Sequence, residues 1–133
     1  MDKLLITIVF GFISGCALFN AYTMAKFDAN EYHLATSISS RAEISAVDCD
    51  DRLLMKTNAA ELLYTATEFK NYAANIPHNE ESINMSEALL KEVQGLSARY
   101  KTEEVSTYYC TTKMQIIERS AKIIQTTLGA KPR

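Results

Sequence analysis

One stripe near the C-terminus constrains this chain more than any other feature. Cys110, Met114, Ile117, Ala121, Ile124 and Leu128 follow one another in steps of four and three residues in turn. Side chains spaced in that way lie along one side of an α-helix, so the stretch predicts a helix with a single apolar seam. The same alternation runs upstream without a slip, through Thr107, Glu103 and Tyr100 to Leu96, Val93 and Leu89. A second seam is formed by Met55, Ala59, Leu62, Ala66, Phe69, Ala73 and Ile76. Leu53, Leu54, Leu63 and Tyr64 widen it beyond what two helices need, which calls for a further packing partner. A third seam runs through Leu34, Ile38, Ala42, Ser45 and Cys49, with Asp28 or Asn30 as its cap. The whole sequence holds only four glycines and two prolines, so little interrupts these helices.

Between the second seam and the stripe, Asn75-Ile76-Pro77-His78-Asn79 reads as a turn. Proline disfavours helix at the residue before it and offers no amide to a helix passing through. Asn79 followed by Glu80-Glu81, or Asn84 followed by Glu87, can start the next helix. In an antiparallel hairpin, residues equidistant from the turn face each other. Setting Cys49 against Cys110 centres the turn near residue 79 or 80, next to that turn chemistry. The same register opposes Ala59 to Tyr100, Ala66 to Val93, Ala42 to Ile117 and Ile38 to Ala121, small residues against larger ones. The expected fold is therefore all-α. An N-terminal hydrophobic helix over residues 1–25 precedes an exported helical domain over 26–133, a long antiparallel hairpin that turns near 76–80 and carries a Cys49–Cys110 disulfide. Fully extended arms would reach on the order of 70 Å at 1.5 Å per residue. The alternative breaks both arms, at Asp48–Asp51 and at Lys101–Thr102, and folds one chain into a compact four-helix bundle.

No charged residue lies between Lys3 and Lys26. Leu4 to Ala25 is long enough to cross a bilayer as a helix. Gly11 and Gly15 have the small-xxx-small spacing that lets two membrane helices approach closely. Ile13-Ser14-Gly15-Cys16 resembles a bacterial lipobox, and that resemblance implies cleavage before Cys16 and a lipid on its thiol. Thr23-Met24-Ala25 would suit a conventional signal-peptidase cut. All three readings export the rest of the chain. They leave Cys49 and Cys110 as the two thiols of an oxidising compartment.

The net charge of −2 offers no broad basic face for nucleic acid. Only His33 and His78 are available for acid–base work, and neither accompanies a nucleophile turn. The three aspartates around Cys49 have neither the glycine nor the closing glutamate of a calcium loop. They fit a helix restart instead, where carboxylates favour the first turn. Tyr108 and Tyr109 immediately precede Cys110 and are expected to shield the bond. No catalytic residue, metal or cofactor is assigned. The expected function is that of a membrane-tethered helical interaction or structural protein of a cell envelope. Its partners would be the membrane, through the N-terminal segment, and a second copy or an envelope protein. On an anchored hairpin Lys131 and Arg133 would return to anionic headgroups near Lys26. The tip, Ile76, Pro77, His78 and Asn79, would point away as a contact loop. The alternative is a soluble secreted or periplasmic binding module, an inhibitor or a ligand sensor.

Overall fold

A computed structural model describes residues 24–133. The lipobox resemblance at Cys16, the Gly11/Gly15 pair and nearly all of the hydrophobic segment lie outside the described residues. Four α-helices make up the body: α1 (Ala29–Ser45), α2 (Arg52–Ala74), α3 (Glu80–Thr102) and α4 (Thr107–Gly129). A short 3-10 turn, Ala46–Asp48, follows α1. The described residues contain no strand.

Three of the four helices begin where a short polar side chain satisfies free amides of the first turn. Asp28 accepts from the N–H groups of Asn30 and Glu31 at 2.8 and 3.0 Å. Asp51 accepts from Leu54 at 2.9 Å, so the acidic run around Cys49 is a helix restart. Ser106 accepts from Tyr109 at 3.2 Å. Asn79 precedes α3 without capping it through its side chain. α4 ends at Gly129, with Ala130 as its C-cap and Pro132 two residues beyond.

The helices form a bundle in which each packs against its neighbours in sequence, and α1 also closes the ring against α4. The core is the set of seams. Met55, Ala59, Leu62, Ala66, Phe69 and Ala73 of α2 are buried, as are Leu89, Val93, Leu96 and Tyr100 of α3. So are Cys110, Met114, Ile117, Ala121, Ile124 and Leu128 of α4. Each large side chain taken fully out of water contributes about 1.5–3 kcal/mol. In α1 the buried line is Glu31, Ala35, Ile38, Ala42 and Ser45, whereas Leu34 packs only partly against it.

The long hairpin is replaced by its compact alternative. α1 still runs against α4, and α2 against α3, as the hairpin register requires. Both arms also fold back on themselves, so that α1 packs on α2 and α3 on α4. The folds fall at residues 46–51 and 103–106, near the two breaks foreseen for the compact form. Doubling back buries each seam from two sides, which two bare helices cannot do.

Cys49, just beyond the end of α1, is bonded to Cys110 in the first turn of α4, with Cα atoms 5.7 Å apart. The bond closes a loop of 61 residues. On the chain-entropy account, a loop that long corresponds to about 4 kcal/mol.

Candidate interaction surfaces

The two ends of the bundle have opposite characters. At one end the N-terminal segment enters, and a polar cluster is sealed beneath it. Glu31 of α1 and Lys131, just past α4, are both buried. The Lys131 ammonium donates to Glu31 Oε2 at 3.3 Å, to Asn79 Oδ1 at 2.7 Å and to Ser82 Oγ at 2.6 Å. Asn79 Nδ2 donates to Glu31 Oε1 at 2.6 Å and to the Ala73 carbonyl at 3.1 Å. Every strongly polar atom in this cluster has a partner, which a buried charge pair requires if it is not to destabilise the fold. The cluster ties the start of α1, the α2–α3 turn, the first turn of α3 and the C-terminal segment into one block.

Two backbone bonds fix the entering chain to the same block. The Ala25 N–H donates to the His78 carbonyl at 3.1 Å, and the Phe27 N–H to the Pro132 carbonyl at 2.8 Å. The Arg133 guanidinium lies over the Phe27 ring, 4.9 Å from its centroid. His78 holds a positive φ of 58°, unusual for a non-glycine residue, at the centre of this turn.

Two placements differ from the sequence reading. The tip does not point away from the entering chain; folding back brings Ile76–Asn79 beside Ala25. Ile76 is half-buried, Pro77 and His78 are exposed, and Asn79 is committed to the interior. Lys131 is likewise not a free surface cation, because it neutralises Glu31 inside the fold.

The opposite end carries the disulfide and a set of bare aliphatic side chains. Ile44, Val47, Leu53 and Leu54 ring the α1–α2 turn, and Val47 and Leu53 are nearly four-fifths exposed. Tyr108, expected to shield the disulfide, is 83% exposed instead. Tyr109 is the one that packs inward, under the Arg99 guanidinium at 4.2 Å. A cluster of exposed apolar groups on a folded domain marks a contact site more often than chance. The exposed Asp50 and Asp51 lie in the same turn.

A third surface lies along the bundle. α3 and α4 are joined near the disulfide end by Arg99 on Tyr109 and by Lys113 to Glu92 at 2.8 Å. Toward the other end a groove of about 290 Å³ opens between them, lined by Met85, Ala88, Leu89, Ile123 and Ile124 together with Glu92 and Ser120. On the other side of the molecule His33 shares an open hollow with Arg41, Tyr64 and Glu68. It lacks the enclosure that would shield proton transfer from water.

Among the described residues no helix is long and apolar enough to cross a membrane, and no group of three or more acidic, histidine or cysteine side chains is placed to hold a metal. No protein-family model, no curated protein and no solved structure matches this chain.

Proposed function

We propose that the chain is a membrane-tethered helical adaptor of a cell envelope, held at one end of its bundle and binding a protein partner with the other. The observation that carries this reading is the polarity of the molecule. The uncharged run from Leu4 leads into Ala25, and Ala25 and Phe27 are bonded into the block around Lys131. The exposed aliphatic cluster, Ile44, Val47, Leu53 and Leu54, sits at the far end of helices of up to 23 residues, about 35 Å away at 1.5 Å per residue. A tether entering a fixed block holds the bundle in a limited range of orientations. The apolar end then faces outward.

The disulfide supports the export that tethering implies, because such bonds persist in oxidising compartments. It also pins the α1–α2 turn that presents the aliphatic cluster. The chemistry of the surface suits protein contact, with exposed aliphatic groups and carboxylates sharing one turn.

The test is a pull-down of the full chain from its own membranes under oxidising conditions, with wild type compared against Val47→Asp and Leu53→Asp. The reading expects a discrete partner that both substitutions release. Retention of the same partner by both variants would reject the far-end surface.

A further inference from the structure

We propose that the α3–α4 groove is the contact between two copies of this chain, paired in parallel on the membrane. The inference rests on the tethered reading in its uncleaved-anchor form, which keeps Gly11 and Gly15, and adds to it a partner and a surface.

The groove lies where the entering chain leaves the bundle. Met24, the first described residue, lies beside Glu81 of α3 and Thr126 and Thr127 of α4 in an adjoining hollow of about 370 Å³. Met85 is one helical turn beyond Glu81, and Ile123 is one turn before Thr127. Residues four apart share a helix face, so the hollow and the groove belong to one continuous side of the molecule. Met24, the residue next to the hydrophobic run, therefore lies on the α3–α4 side of the bundle.

The segment carries its own pairing signal. Gly11 and Gly15 place two small residues four apart in an uncharged run, the spacing at which two membrane helices pack closely. Two copies paired through that segment share an axis along the membrane normal. The side of each bundle nearest the axis is the side from which Met24 departs. Each groove then faces its counterpart.

The exposed side chains fit that arrangement. Ile116 and Ile123 are seven residues apart on α4, hence on one face, and are 39% and 66% exposed. Across a parallel two-fold axis each isoleucine meets its own counterpart, and an isologous contact of this kind closes without leaving a free face. An interface with so few apolar side chains falls short of the about 800 Å² per partner of a stable soluble complex. Tethering offsets the deficit, because confinement raises the effective concentration of the second copy to about the millimolar range. The contact is weak by itself and is populated on the membrane.

The experiment places a photo-crosslinking residue, Ile123→p-benzoylphenylalanine, in the full chain embedded in its own membranes, with two differently tagged copies co-expressed. Irradiation is expected to join the two tags through peptides of α3 or α4. The same probe at Leu53, on the far end, is expected to leave them separate. Ile123→Asp is expected to lower dimer recovered by a membrane-permeant amine crosslinker about tenfold, since a carboxylate would be buried against its twin. Three results would overturn the inference: crosslinks from position 123 only to residues 4–23 of its own chain, crosslinks only to an unrelated protein, or dimer formed through position 53 and not 123. The tethered reading fails separately, by recovery of the chain in the soluble fraction. A tethered chain that never crosslinks at 123 sinks the inference and leaves the tether standing.

Discussion

Lys131 donates to the carboxylate of Glu31 from inside the bundle, at 3.3 Å, across a hundred residues of sequence. The pair joins the two chain termini of the folded domain. It also sits at favourable helix poles, the anion in the first turn of α1 and the cation just past the end of α4. Because both groups are buried, removing one leaves the other charged and unpaired. Lys131→Met or Glu31→Leu is expected to cost about 3–5 kcal/mol in chemical denaturation. The double substitution Glu31→Leu with Lys131→Met is expected to cost much less than the sum, because neither charge is then stranded. Additive losses would show that the two side chains act independently.

The disulfide makes a second, separable contribution. Reduction, or Cys49→Ser with Cys110→Ser, is expected to lower stability by about 2–4 kcal/mol while far-UV circular dichroism stays helical. The four seams close the core without the bond, so helix content tracks packing and not oxidation state. Loss of helix on reduction under native conditions would contradict that division.

Two residues are expected to respond in the stabilising direction. The Tyr100 hydroxyl is buried with no hydrogen-bond partner, and burial, against a smaller opposing effect of Arg52, raises its pKa above the usual 10.0. Tyr100→Phe removes an unsatisfied polar group and is expected to be neutral or to stabilise by up to about 1 kcal/mol. The sign of the pH effect follows from the raised value. Wild-type stability is unaffected below the unfolded tyrosine's pKa and falls as pH rises from there toward the folded value. The phenylalanine variant should lack that alkaline loss in parallel urea titrations.

Gly95 lies inside α3, where an added methyl group would meet nothing within 4 Å. Gly95→Ala is therefore expected to raise stability by about 0.5–1 kcal/mol, through reduced freedom of the unfolded chain and better helix propensity. Thermal melts of the two proteins decide it.

These side chains also show which parts of the molecule the amino-acid order reveals. The stripe from Cys110 to Leu128 is buried along its whole length, because helical periodicity is a local property that packing here respects. The disulfide was legible because the two cysteines fall equidistant from a turn found by other means. The choice between two long arms and four short helices was not legible, for a physical reason. Both folds set α1 against α4 and α2 against α3, so both demand the same seams. The break at 103–106 carries no proline or glycine; its signal is the capping serine at 106, which competes for helix-start amides.

The buried pair was missed although both charges are in register. Glu31 stands four residues before Ala35 on the α1 line, and Lys131 three after Leu128 on the α4 stripe. A charge of each sign at seam positions on adjacent helices is the pattern that would have found it. Leu53, Leu54 and Tyr64 were read as demanding another packing partner, and they remain exposed in the folded chain. Leu53→Asp is accordingly expected to change stability by less than about 0.5 kcal/mol while abolishing partner capture. A large loss of stability would instead place Leu53 in the fold's own core.

The tether is tested most directly by the mass and location of the mature protein. Membranes are washed at high pH to strip peripheral proteins, and the chain is identified by intact mass under non-reducing conditions. The account predicts a membrane-bound chain with the Cys49–Cys110 bond intact, retaining either the segment from Leu4 onward or a lipid on Cys16. A chain beginning at Lys26 and recovered wholly in the wash would contradict it.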